Sequence, residues 1–279
     1  MPKANENENA DALESPLGRG HLFDVAGKVV VISGGGSGIG AMMAAGFVRN
    51  GAVVYIFSRK DTSSFAQELT AGGPGTCTAL VADAQKPATL ERLVSTIQGK
   101  EGKVHCLINN AGTNFNAPFA EYPAAAFGKV VDVNLVAVFR LIQLFAPLLR
   151  AAATPSSPAR VINISSINGI SPPANFPTYA YSTSKAAVLM LSRHLAQSLA
   201  PDVTVNAIAP GPFRSRMMRG TFKAAGEEAL ASGTLLQRVG APGDICGAAL
   251  FLASEAGAWI TGTTITLDGG SLLSPTSSL

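Results

Sequence analysis

The 279-residue chain is 47% hydrophobic, enough apolar material for the core of one large α/β domain. Its 21 basic and 18 acidic side chains leave a formal charge of +3, too mild and too dispersed for a nucleic-acid surface, and Arg214, Arg216 and Arg219 form the one tight basic cluster, read as a solvated face. Cys77, Cys106 and Cys246 are far apart and odd in number, which argues against a disulfide framework and gives no metal-ligand spacing. They read as free thiols of a reducing, cytoplasmic setting, with no metal expected. No stretch runs apolar for the roughly 18 residues of a membrane span. The most apolar, Val130 to Leu149, contains Asp132, Asn134, Arg140 and Gln143.

Residues 1–20, rich in Asn, Glu, Ala and Gly, read as a disordered tail with no signal-peptide pattern, ahead of a single domain over 21–279. From Lys28 onward strand and helix patterns alternate. Lys28 to Ser33 is an apolar strand, followed by a glycine turn and a helix from about Gly38 to Arg49. Ala52 to Phe57 is the second strand, Thr62 to Thr70 a helix, Thr76 to Val81 a strand, Ala88 to Gln98 a helix and Val104 to Ile108 the fourth strand. A long helix over Ala124 to Arg150 is expected to bend or break near Pro147. Arg160 to Ser165 is the fifth strand, Tyr179 to Ala200 a helix and Val203 to Ile208 the sixth strand. A looser helical segment from Arg214 to Ala231, a helix from Pro242 to Ala253 and a last strand, Thr264 to Leu267, complete the pattern. The final Ser277-Ser278-Leu279 loosely echoes the peroxisomal Ser-Lys-Leu signal but lacks its Lys, and reads as a plain polar terminus.

Continuous apolar strands separated by helices specify a doubly wound parallel sheet of Rossmann type, covered on both faces. Ligands of such sheets bind beyond the carboxyl ends of the strands, so the residues just after each strand carry the function. After the first come Gly34, Gly36, Ser37, Gly38 and Ile39, opening straight into a helix: a turn that lets backbone approach a pyrophosphate at a helix N-terminus. After the second come Ser58, Arg59 and Lys60, with no carboxylate for a ribose 2′-hydroxyl and two cations for a 2′-phosphate, which selects NADP(H). Asp83 and Ala84 follow the third strand, where an adenine amino group would pass, and Asn110, Ala111 and Gly112 follow the fourth.

Tyr181 and Lys185 stand four apart at the start of a helical run, on one face, where an ammonium would lower the phenol pKa into a range useful for proton transfer. Alone the pair is a common coincidence. Together with Gly34-x-x-x-Gly38-Ile39-Gly40, Asp83, Asn109-Asn110-Ala111-Gly112, Asn134, Ser165-Ser166, Pro210-Gly211 and Asp268-Gly269-Gly270, the chain resembles the short-chain dehydrogenase/reductases from about Asp24 to Gly270.

That resemblance implies a hydride-transferring enzyme with Tyr181 as general acid and Lys185 lowering its pKa and binding the nicotinamide ribose. It implies that Ser166 holds the substrate carbonyl and that Asn134 supports a water relay to Lys185. Pro210, Gly211 and Phe213 would lie beside the nicotinamide. It further implies pairing through the two long middle helices into a homodimer or homotetramer. Ser166 and Tyr181 are 15 apart, two or three more than is common in the family, so Ile167 to Thr178 is expected to form a longer loop over the site. Phe57 to Lys60 and Ala209 to Met217 resemble NADPH-dependent 3-oxoacyl reductases of the rhamnolipid-biosynthesis type and fungal relatives. The expected reaction is reduction of a ketone, a 3-oxoacyl thioester or a secondary-metabolite ketone. The alternatives are the same chemistry run oxidatively, or a silent NADPH-binding sensor or scaffold. Thr113, Asn114, Phe115, Asn168, Phe176, Phe213, Met217 and Met218 are the expected substrate lining, apolar with a few amides and suited to a small-molecule carbonyl compound.

Overall fold

A computed structural model describes residues 17–173 and 176–274. Most of the expected tail, and the Ser-Ser-Leu terminus, lie outside the described residues. Within them a short helical turn, α1 (Arg19–Leu22), already occupies the end of the segment expected to be tail.

Seven parallel strands form one sheet: β1 (Val29–Ser33), β2 (Val53–Ser58), β3 (Thr76–Val81), β4 (Cys106–Asn109), β5 (Ala159–Ile164), β6 (Val203–Pro210) and β7 (Thr264–Leu267). Their order is β3-β2-β1-β4-β5-β6-β7, so the chain reverses direction across the sheet between β1 and β4. The registers Ile32↔Ile56 and Ile32↔Ile108 level the carboxyl ends of β1, β2 and β4 at that switch point.

Successive side chains of a strand point to opposite faces, and β1 shows what that demands of a sheet covered twice. Val29 and Val31 enter one core with Leu90, Leu93 and Ile97 of the helix Pro87–Glu101 and with Leu141, Phe145 and Leu149. Val30 and Ile32 enter the other with Met43, Phe47, Ile245, Ala249 and Leu252. Full burial of such a side chain contributes about 1.5–3 kcal/mol, so β1 favours apolar residues on both faces. The second core is closed by α2 (Gly38–Arg49) and by the helix Pro242–Ala253.

Between β2 and β3 lies the helix Ser63–Ala71, which stands a residue later than expected. The run from Ala124 to Ala152 covers the first core. It is long and apolar enough by length and composition to cross a membrane, but Leu141, Ile142, Phe145, Leu148 and Leu149 are spent on the sheet. Its irregularity is not at Pro147, which sits inside the helix Ala137–Ala152 with buried neighbours on either side that outweigh a cost of roughly 3 kcal/mol. The irregular turn is instead a π-helical one, Asp132–Val136, joining Ala124–Val131 to Ala137–Ala152 and carrying Asn134. Such widened turns occur frequently at functional sites. The looser segment after β6 resolves into two short helices, Arg219–Ala225 and Glu227–Ser232, separated by Gly226 at φ +81°.

Candidate active site

One cavity of about 870 Å³ opens at the carboxyl ends of the strands, on the switch point. At one end it is floored by the turn after β1. Gly34 holds φ +66° and Gly38 φ +57°, values that side chains with a Cβ seldom adopt. A Cβ at Gly40 would lie 2.5 Å from the Gly34 carbonyl oxygen, so only glycine lets the first turn of α2 fold back on the loop. The turn is pinned to β4: Ser33 Oγ accepts from the amides of Asn110 and Ala111, each at 2.9 Å, and Asn110 Nδ2 donates to Ser33 O at 3.0 Å. Ser37, at the N-cap, makes no side-chain cap bond, which leaves the N-terminal amides of a twelve-residue helix without a side-chain cap beside the cavity.

Gly34, Ser37, Gly38, Ile39, Ser58, Arg59, Asp83, Ala84, Asn110, Ala111 and Gly112 all line this end. Two residues expected to touch a nucleotide do not line it. Gly36 packs under Thr62, whose Cγ2 would be 2.5 Å from an added Cβ, so its glycine serves the turn. Lys60 is exposed outside the cavity, its amide and carbonyl both tied to the Ser58 hydroxyl. Arg59 is thus the cation of that turn that reaches the cavity. A cradle shaped by glycines, an uncapped helix N-terminus and one guanidinium at the rim fit a phosphate-bearing dinucleotide.

At the other end stand Ser166, Tyr181 and Lys185. Ser166 follows β5, and Tyr181 and Lys185 lie on the long helix Tyr179–Leu199. Both serines of the pair line the cavity, but Ser165 Oγ donates to Lys185 O at 2.8 Å, whereas the Ser166 hydroxyl is bonded to that of Tyr181. Asn168 donates its amide to Ser166 Oγ at 3.2 Å, which fixes the serine rotamer. Lys185 Nζ donates to Ile164 O at 2.7 Å and lies 5.7 Å from the centre of the Tyr181 ring. Burial brings the Lys185 ammonium down to about 8. Burial also raises the Tyr181 phenol, and the Ser166 hydrogen bond only partly offsets it. The sequence expectation had the opposite sign for Tyr181, because spacing shows the neighbouring ammonium and not the desolvation of the site.

Asn134 is fully buried outside the cavity lining. Its Oδ1 accepts from Thr113 N at 2.8 Å, and its Nδ2 donates to Thr113 O and to Ser184 Oγ, each at 3.0 Å. Ser184 in turn donates to Tyr181 O at 2.8 Å. The π turn therefore fastens the segment after β4 to the helix bearing Tyr181. An added Cβ at Gly112 would stand 3.3 Å from Asn134 Oδ1 and 3.6 Å from Lys185 Nζ, so both groups converge there.

Such a switch-point cavity, with a glycine cradle at one end and a Ser-Tyr-Lys group at the other, invites comparison with known proteins. A family model described as Enoyl-(Acyl carrier protein) reductase matches residues 34–271. The rhamnolipids biosynthesis 3-oxoacyl-(acyl-carrier-protein) reductase of Pseudomonas aeruginosa is 40% identical over 251 residues, covering 89% of this chain and 97% of that one. The short-chain dehydrogenase/reductase VdtF of Byssochlamys spectabilis is 32% identical over 294 residues, covering 89% and 94%. This chain belongs to the short-chain dehydrogenase/reductase family. A solved structure of a Pseudomonas aeruginosa RhlG/NADP active-site complex superimposes with a TM-score of 0.85 at 39% identity, covering 90% of this chain and 98% of that one.

The eight residues expected to form the substrate wall of this dehydrogenase/reductase all line the cavity, and so do Pro210 and Gly211. Sequence reasoning missed Lys129, Val133, Ser171, Pro172 and Pro173. The last three belong to the long loop after Ser166, whose Ala174 and Asn175 lie outside the described residues. It also missed Ser184, although a hydroxyl three residues after Tyr181 on the same helix was a signal worth following. The three arginines of the basic cluster are all exposed, as a solvated face requires. Arg216 lines the cavity, whereas Arg214 pairs with Glu227. The three cysteines are free, and burial pushes the Cys106 thiol up to about 12, which leaves it unreactive.

Proposed function

We propose that the protein is an NADP(H)-dependent ketone reductase, in which Tyr181 gives the carbonyl oxygen its proton. The observation that carries the reading is the Ser166–Tyr181 hydroxyl pair, with the Lys185 ammonium 5.7 Å from the ring, at the far end of a cavity whose near end is a phosphate cradle. NADP(H), when bound, supplies the hydride. Gly34, Ser37, Gly38 and Ile39 would hold its pyrophosphate, Arg59 its 2′-phosphate, and Asp83 and Ala84 its adenine.

Ser166 and Tyr181 present two O–H donors to one carbonyl oxygen, which orients the substrate and stabilises the developing alkoxide. The raised Tyr181 pKa keeps the phenol protonated through the neutral range, as reduction requires. Lys185 holds the ribose side and supplies positive charge beside the forming phenolate. Asn134 and Lys185 both converge on Gly112, which supports a proton path refilling Tyr181 from that side. The apolar and amide lining suits a medium-sized ketone, and the resemblance to 3-oxoacyl reductases supports a 3-oxoacyl thioester or a related ketone as substrate. Val136, Phe139 and Met190, exposed on the middle helices, support assembly into a homo-oligomer.

Replacing Tyr181 with Phe tests the central role. Turnover is expected to fall by about a thousandfold or more while NADPH binding, read by fluorescence, persists. Retained turnover removes Tyr181 from the chemistry. Arg59→Ala is expected to raise KM for NADPH about tenfold and leave that for NADH nearly unchanged. A protein that already prefers NADH sinks the cofactor assignment.

A further inference from the structure

Five aromatic side chains that the reduction chemistry leaves unused gather beside the mouth of the cavity. The rings of Phe115 and Tyr122 meet edge to face at 5.5 Å, those of Tyr122 and Tyr179 at 5.5 Å, those of Phe119 and Tyr179 at 5.8 Å, and those of Tyr122 and Phe127 at 6.2 Å. Tyr122 is the hub, with three ring contacts, and its hydroxyl donates to Phe115 O at 3.0 Å. None of the five belongs to either core of the sheet. Only 6% of the chain is aromatic, so their concentration on one surface is not a by-product of composition.

Burial does not account for the patch. Phe119 is 81% exposed, Tyr179 42% and Phe115 39%. Contiguous exposed aromatic surface marks a place where something apolar binds. The patch is continuous with the cavity: Phe115 lines it from one side, Phe176 and Thr178 from the other, and Tyr179 follows Thr178 directly. Among the described residues the one acid in the cavity lining, Asp83, stands at the end with the glycine turn. Rings already held edge to face keep their outer faces and edges presented, at little entropic cost, to a further flat ring.

We propose that these aromatics are the outer half of the substrate site, a rim that selects ketones carrying a fused ring system beyond the carbonyl. This deepens the reductase reading and rests on it. A ring placed against Phe119 and Tyr179 gains edge-to-face contact as well as buried area, whereas a linear chain gains only area. Tyr122 acts as the positioning residue, because it ties the Phe115 wall to the start of the helix that carries Tyr181.

The test compares 2-acetylnaphthalene with 2-dodecanone, methyl ketones matched in carbon count, using NADPH oxidation. In Phe119→Ala the ratio of kcat/KM for the aryl over the linear ketone is expected to fall about fivefold, and in Tyr122→Leu about tenfold. Tyr122→Phe, which keeps the ring, is expected to restore most of the ratio. The fully exposed Trp259, outside the cavity, serves as control, and Trp259→Ala is expected to leave the ratio unchanged. Equal losses on both ketones, an unchanged ratio, or a change of particle mass in solution scattering with no change of ratio each overturn the proposal, the last by assigning the patch to contact between copies. Calorimetric binding of 2-acetylnaphthalene to the NADPH-loaded protein separates the two readings. Phe119-dependent binding without turnover of any ketone removes the reductase and keeps the rim; turnover without Phe119-dependent binding does the reverse.

Discussion

The two ends of the sheet each bury a cation, and they treat it differently. At the amino ends of the strands Arg160, 2% exposed at the start of β5, donates to Ser254 O at 3.2 Å and lies 3.9 Å from Glu255. Glu255 also takes Lys28 at 2.9 Å and the Ser157 hydroxyl at 2.6 Å. His105 nearby accepts from Val29 N at 2.9 Å, and burial, with the charges of Lys103 and Lys28, brings it down to about 4. At the carboxyl ends Lys185 is buried beside an open cavity with a backbone carbonyl and no carboxylate partner among the described residues. A buried charge that brings its counter-ion completes the fold. One that lacks it carries a desolvation cost of several kcal/mol that an incoming anionic or polarised group can relieve.

The contrast breaks most sharply at Lys185. Lys185→Met is expected to lower kcat/KM by about a hundredfold or more while stability in a urea melt stays within about 1 kcal/mol of the parent, because the side chain that is lost was an unpaired buried cation. A collapse of stability with activity would make Lys185 a structural residue and erase the distinction between the ends.

The amino end should respond in the opposite currency. In Glu255→Gln, Arg160 loses its charge partner, and a loss of about 1–3 kcal/mol is expected with kcat/KM changed less than about twofold. Burial raises the Glu255 carboxyl, but hydrogen bonds from Ser157 and Lys28, and the charges of Lys28 and Arg160, more than offset this and hold it below the usual carboxylate range. Its contribution is therefore present above the ordinary carboxylate pKa and is lost as pH falls through the lower folded value. The acid limb of the stability curve should flatten in the variant; an unchanged limb would assign acid unfolding to other carboxylates.

The carboxyl end was far more legible in the sequence than the amino end. Glycine turns, Asn110-Ala111-Gly112 and Tyr181-x-x-x-Lys185 are local patterns whose spacing follows from one strand, one turn or one helix. Lys28, Arg160 and Glu255 are 95 or more residues apart and meet only because β1, β5 and the turn after Ala253 converge in space. The departures from the sequence expectation have the same origin. Adjacency alone puts Lys60 and Gly36 beside a nucleotide, yet neither lines the cavity: the Lys60 carbonyl is tied to the Ser58 hydroxyl and Gly36 packs under Thr62. Pro147 reads as a break, since packing against the sheet is invisible locally, while the π turn around Asn134 has no composition of its own.

The smallest effect, and the most direct reading of the uncompensated cation, is a pH profile. In the free protein Lys185 is cationic below about 8 and loses its charge as pH rises through that value. Tyr181, pushed upward by burial, keeps its proton over the same interval. For reduction both conditions favour the acid side, so kcat/KM for NADPH, which reports the free enzyme, should be flat below about pH 8 and decline by no more than about tenfold over the next unit. His105 titrates near 4 and Glu255 lower than a usual carboxylate, so the amino end adds no inflection between pH 6 and 9. A break that persists in Lys185→Met belongs to another group. A profile flat beyond pH 10 would mean that the ammonium finds its counter-charge in the free protein after all, and the two ends of the sheet would then differ in geometry but not in principle.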